Sequence, residues 1–160
     1  MASDAYPNGQ LEREIVLSRV VAAPRDVVFA AWSDSRRMFQ WFAPAGMRCD
    51  VHAHGLAEPG AVWRFDMIGT GDERYGNRMR FLEVVPNQRL VFEHGADQDD
   101  DPERFLTTIT FDQQDDGKTV VTLRQLHPTT AQRQRTIGFG AVEIGYQTLD
   151  GLVRHLERSP

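Results

Sequence analysis

The sequence predicts an α+β domain in which one curved antiparallel sheet of about six to seven strands grips a long C-terminal helix. Three observations predict it. Six short stretches of alternating apolar and polar residues follow one another between Met47 and Leu126, separated only by turn residues, which is the pattern of an antiparallel meander. One further strand and two short helices precede them. Ala131–Leu156 follows them, and it carries the one apolar stripe long enough to cover a sheet. A strongly twisted sheet of this width curls, so a sheet wrapped around one helix encloses space unless large side chains fill it.

The elements follow in order. Residues 1–10 are small, polar and turn-rich and are expected to form a flexible tail, leaving 11–158 as a single domain. Leu11–Val21 alternates, with Ile15, Leu17 and Val21 on one face and Glu14 and Ser18 on the other, and reads as a strand. Pro24 and Asp26 suit the first turn of a helix, whose stripe is Val27, Val28, Ala31 and Trp32. Ser33-Asp34-Ser35 stops it and caps a second short helix, Arg36–Trp41, which Pro44 and Gly46 end. The meander strands are Met47–His52, Ala61–Ile68, Tyr75–Val85, Gln88–His94, Arg104–Phe111 and Thr119–Leu126. Pro59-Gly60, Gly69–Asp72, Pro86-Asn87 and Asp115–Lys118 supply turns.

At 100° per residue, Gly138, Val142, Gly145, Leu149, Leu152, Val153 and Leu156 of the last helix share a stripe, with Phe139 and Tyr146 at its edge. Gln147, Gly151 and Arg154 fall on the far side. Glycine inside a helix costs roughly 1 kcal/mol relative to alanine. Gly138 and Gly145 on the inner stripe therefore mark either a close backbone approach or space left open. The second alternative places a small-molecule cavity beneath them.

Composition excludes several function classes. The 160 residues suffice for one core, and the net charge of −5 gives nucleic acid no electrostatic footprint. No stretch approaches the roughly 20 apolar residues of a membrane span. The lone Cys49 precludes an internal disulfide and suits a reducing cytoplasm. It has no flanking cation beyond Arg48 and reads as an inert thiol. No nucleophile elbow, phosphate loop or dinucleotide fingerprint occurs.

Candidate chemistry is sparse. His52 and His54, two apart on a strand, would point to one face, where a zinc ion would need a further ligand such as His94, Glu58, Glu93 or Asp66; the alternative is a partly exposed histidine pair. Arg64, Asp66, Arg78, Arg80, Glu93, His94 and Arg124 sit in strands whose register the sequence leaves open. His94 shares parity with Leu90 and Phe92 and is the first choice for an inward polar group. The acidic run Asp97–Glu103 lacks the spacing of a calcium loop and reads as a solvated hairpin tip.

Several segments resemble a known family. Val21–Trp32, followed by Trp41-Phe42-Ala43-Pro44, is similar to the opening of START-like proteins of the SRPBCC superfamily. Pro59–Phe65, Gly76–Phe92, and Gly145-Tyr146 with Leu149 and Leu152 resemble the branch related to the Aha-type activator of the heat-shock-protein-ninety ATPase, in which a tryptophan is more usual than Tyr146. The resemblance runs from Glu12 to Leu156. It implies the helix-grip fold, as in START and birch-pollen-allergen-like proteins. It also implies a cavity for a small hydrophobic or amphipathic molecule, lined here by Trp63, Phe65, Arg80, Phe92, His94, Gly138, Val142, Gly145, Tyr146 and Leu149. Alternatives are a chaperone-binding module and a cyclase- or hydrolase-like enzyme using His94 with a nearby Glu or Arg. No catalytic set, cofactor or metal is assigned. The protein is expected to be a monomer or a homodimer paired through sheet edges.

Overall fold

A computed structural model describes residues 10–158. The expected tail lies outside them except for Gln10. Among the described residues one sheet of seven antiparallel strands runs in the order β1-β7-β6-β5-β4-β3-β2. The strands are β1 (Glu14–Val21), β2 (Arg48–Ala53), β3 (Val62–Ile68), β4 (Arg74–Val85), β5 (Arg89–Ala96), β6 (Phe105–Gln113) and β7 (Thr119–Leu126). The helices are α1 (Gln10–Arg13), α2 (Arg25–Ser33), α3 (Ser35–Trp41), α4 (Thr130–Gly138) and α5 (Ala141–Arg158). The curved sheet and its C-terminal helix make the helix-grip architecture. The meander β2 to β7 builds the sheet outward from one edge, and β1 returns to pair with β7.

Local chemistry accounts for the junctions. Pro24 precedes the first turn of α2 with φ −64°, and the Asp34 carboxylate accepts the Arg36 amide at 3.0 Å to start α3. Trp41 donates its indole N–H to the Ala31 carbonyl at 3.1 Å and locks α3 against α2. Thr148 donates to the Phe42 carbonyl at 3.1 Å and fixes α5 to the end of α3. The core is the concave face of the sheet, with Trp63, Phe65, Phe81, Phe92 and Phe111, closed by Trp32, Trp41 and Phe42 from the helices and by Leu149 and Leu152 from α5.

Three expectations need correction. The strand expected from Leu11 starts only at Glu14, because Gln10–Arg13 form a helical turn in which the Arg13 carbonyl caps the chain at His127 (N···O 2.9 Å). The last helix is not continuous. It breaks at Phe139-Gly140, where Gly140 takes φ +90° and its N–H bonds the Ile137 carbonyl at 3.0 Å, a left-handed stop that glycine accepts readily. Beyond the break α5 is covered on two sides, by the sheet and by α3. Gly151, assigned to the far side, is consequently buried, and a Cβ there would lie 2.6 Å from the Trp41 carbonyl oxygen.

Candidate functional site

A pocket of about 300 Å³ lies between the concave sheet and the helical segments that follow β7. β5 contributes Phe92 and His94, β6 Phe105 and Thr107, and β7 Leu123 and Gln125, all on inward positions of adjacent strands. Trp32 of α2 and Phe42 after α3 form the opposite side. Thr136 of α4, Phe139 at the break, and Ala141, Ile144, Gly145 and Thr148 of α5 close the remaining side. Phe139 is 84% exposed and stands at the rim. A second hollow of about 380 Å³ adjoins the first and shares His94, Phe105, Thr136 and Phe139 with it, adding the polar side chains of Asp101, Glu103, Gln132 and Arg135.

His94 is the polar centre of this region. Its ring lies among Phe42, Phe65, Phe92 and Phe105, with centroids 5.1 to 6.3 Å away. Burial among these rings pushes its pKa down to about 4, so the imidazole is neutral near pH 7. The Asn77 amide N–H₂ donates to the Tyr75 carbonyl at 2.8 Å, which turns Asn77 Oδ1 toward His94 Nε2, also at 2.8 Å. The imidazole therefore donates from Nε2, leaving Nδ1 as the acceptor of the neutral ring.

Of the residues expected to line a cavity, Phe92, His94 and Gly145 are in this wall. Trp63, Phe65 and Leu149 are buried in the core and outside it. Arg80 is on the convex face, 2.9 Å from Glu93, which also receives Arg104 at 2.7 Å. Val142 packs half-buried against the core, Tyr146 is 36% exposed, and Gly138 is exposed with open space around it. Gly145 is a close approach: a Cβ there would overlap Leu17 Cδ1 of β1. Thr107 and Gln125 are functional candidates that the reading of charged and aromatic residues passed over. Their signal was present, since each shares parity with buried neighbours on its strand, Ile109 and Leu123.

The remaining polar residues turn outward. The pair His52 and His54 separates because β2 carries a bulge between Val51 and Ala53 and ends there. His52 Nε2 lies 3.1 Å from Asp66, whereas His54 Nδ1 meets the Ser35 hydroxyl at 3.0 Å. Asp50, His52 and Asp66 cluster closely enough for a metal. The Arg74 guanidinium already occupies the space between the carboxylates, at 2.9 Å from Asp50 and 3.0 Å from Asp66. Hydrogen bonds from His52 and then Arg74 hold the Asp66 carboxyl below its ordinary pKa. The acidic loop is tied down more than a solvated hairpin tip: Arg64 pairs with Asp97 and Asp99, Arg78 lies 3.0 Å from Asp99, and buried Asp101 accepts the Ala96 and Glu103 amides at 2.9 Å. Cys49 is half-buried, and burial pushes its thiol up to about 11.

A seven-stranded antiparallel sheet curled over a C-terminal helix, with a pocket between them, defines a helix-grip domain of the SRPBCC type. The family model for "Activator of Hsp90 ATPase homolog 1-like protein" matches residues 22–157, and the chain belongs to that family. Among solved structures it is similar to protein CV1439 from Chromobacterium violaceum, at 25% identity and TM-score 0.72 over 92% of this chain and 96% of that one. A protein from Arthrobacter aurescens shares 16% identity at TM-score 0.84, covering 95% and 90% of the two chains. DynU16, a protein of the dynemicin biosynthetic locus, shares 22% identity at TM-score 0.65 over 94% of this chain and 48% of its own. No curated protein matches.

Proposed function

We propose that the protein binds a small hydrophobic or amphipathic molecule in the pocket between the sheet and α5. The observation that carries this reading is the pocket wall itself, with Trp32, Phe42, Phe92 and Phe105 on a mostly apolar surface and a few polar groups that could orient a guest. Its volume of about 300 Å³ is at the small end of ligand sites. Ile144 lies at the rim and is 43% exposed, so Ile144→Trp adds bulk to the pocket without entering the core. Native mass spectrometry and thermal-shift screening should find a ligand that binds the parent chain and not Ile144→Trp. A variant that binds every hit as tightly as the parent would refute the reading.

The family match favours a second reading, a module that contacts a chaperone. Stimulation of heat-shock-protein-ninety ATPase by this chain would support it, and no stimulation at high concentration would exclude it. The cyclase- or hydrolase-like reading has less support. His94 Nε2 is held by the Asn77 amide, and among the described residues no Glu or Arg is hydrogen-bonded to the ring, so the acid–base pair of that reading is not assembled.

A further inference from the structure

We infer that the outer edge of β1 pairs with the same edge of a second copy of this chain, strand against strand about a two-fold axis at Ser18, so that the two sheets join into one. This surface is separate from the pocket and does not depend on what the pocket binds.

β1 and β2 are the two edges of the sheet. An open edge invites pairing with another chain, and native proteins guard such edges with charges, bulges or short strands. β2 has all three guards: it is six residues long, a bulge interrupts it between Val51 and Ala53, and it carries Arg48, Asp50 and His52. β1 lacks them. Its eight residues pair with β7 without a register shift, and its outward side chains include Val16 and Val20, 46% and 50% exposed, on either side of exposed Ser18. The cation of β1, Arg19, alternates to the other face, where Asp150 of α5 holds it at 2.7 Å.

The backbone phase selects the partner. The His127 amide donates to the Arg13 carbonyl, so the odd residues from Ile15 to Val21 exchange hydrogen bonds with β7 and the even ones face away from it. Glu14 fits this phase, because its carbonyl accepts from Arg133 Nε of α4 instead. Among the described residues no hydrogen bond reaches the backbone groups of Val16, Ser18 and Val20 on this edge. A two-fold axis at Ser18 sets Ser18 opposite itself and Val16 opposite Val20 of the other copy. Every outward N–H and C=O of these residues is then paired, and the valines of both copies meet on one face. Moving the axis to Leu17 would require the Glu14 carbonyl that Arg133 holds, and moving it to Arg19 would set two guanidinium groups against each other. The edge is therefore self-complementary at Ser18, as a two-fold contact between identical chains requires.

The test is sedimentation velocity of the full chain from about 5 to about 500 µM, which suits the weak affinity of an interface at the small end of the size scale. The parent should pass from monomer to dimer across this range. Ser18→Lys and Ser18→Glu place like charges at the axis, and each should weaken the dimer about 10-fold, whereas an equimolar mixture of the two variants should restore it. In a Cys49→Ser background, Ser18→Cys should form a disulfide-linked dimer under mild oxidation, because directly opposite Cα atoms lie about 5.5 Å apart in such a pair. Val20→Cys alone should not, since it faces Val16 of the other copy. A parent that stays monomeric throughout would overturn the proposal. A dimer that Ser18→Lys leaves intact, or in which Val20→Cys links as readily as Ser18→Cys, would overturn the pairing of β1 at Ser18.

Discussion

Three glycines of the last two helices answer differently to the same substitution, alanine. At Gly151 the added Cβ would lie 2.6 Å from the Trp41 carbonyl oxygen, an atom of the α3 backbone. Real Cβ atoms do not approach so closely, so α5 must move away from α3. That movement strains the Thr148 bond to Phe42 and the packing of Leu149 and Leu152. Overpacking of a tight contact costs about 1–3 kcal/mol, and the gain in helix propensity returns up to about 1. Gly151→Ala should therefore destabilise by about 1–2 kcal/mol. At Gly145 the Cβ meets the end of Leu17, a side chain that can turn but is 3% exposed, so the loss should be smaller. At Gly138 nothing lies within 4 Å, and alanine should be neutral or stabilise by about 0.5 kcal/mol. Urea unfolding followed by tryptophan fluorescence reads all three on one scale. A chain this size shifts its Tm by about 2–4 °C per kcal/mol, which calorimetry resolves. The order of stability should be Gly138→Ala, then Gly145→Ala, then Gly151→Ala. A Gly151→Ala protein as stable as Gly138→Ala would refute the claim that the α3–α5 contact is set by an absent side chain.

Two further outcomes follow from titratable groups. The unfolded chain protonates His94 as pH falls through its ordinary value of 6.5, while the folded ring resists until about 4. Stability is therefore complete above 6.5 and declines toward 4, and His94→Gln should lose about 2–3 kcal/mol less than the parent between pH 7 and 4.5 in urea titrations; identical pH dependence would refute this. Cys49, with its thiol near 11, should react with a disulfide reagent at pH 8 at least 100-fold more slowly in the native protein than in guanidinium, and rapid native labelling would refute that.

Local signals located the elements well. The strands expected at Ala61–Ile68, Tyr75–Val85 and Thr119–Leu126 form as Val62–Ile68, Arg74–Val85 and Thr119–Leu126. Alternation and turn residues are properties of neighbours in sequence, so their reading needs no tertiary information. Asp34 illustrates the same point: its side chain caps α3 through an amide two residues away. The inward setting of His94 was also legible, because it shares parity with Leu90 and Phe92 on one unbroken strand.

Other features depended on residues far away in the chain. Parity failed for His52 and His54 because a bulge in β2 resets it, and only pairing with β3 reveals the bulge. The helical stripe was projected through Gly138 to Leu156 as if unbroken, and the stop at Gly140 decoupled the two halves. A glycine reports only that a side chain is missing. Whether that space is open, as at Gly138, or filled by Leu17 or by the Trp41 carbonyl, as at Gly145 and Gly151, is set by which distant element packs there. By itself, then, the sequence determined the order of the strands, the inward setting of His94 beside Leu90 and Phe92, and the resemblance to the family. Tertiary packing alone decided the location of the pocket and the neutrality of His94. Desolvation and close contact are set by atoms brought together across the sheet, and no local pattern encodes them.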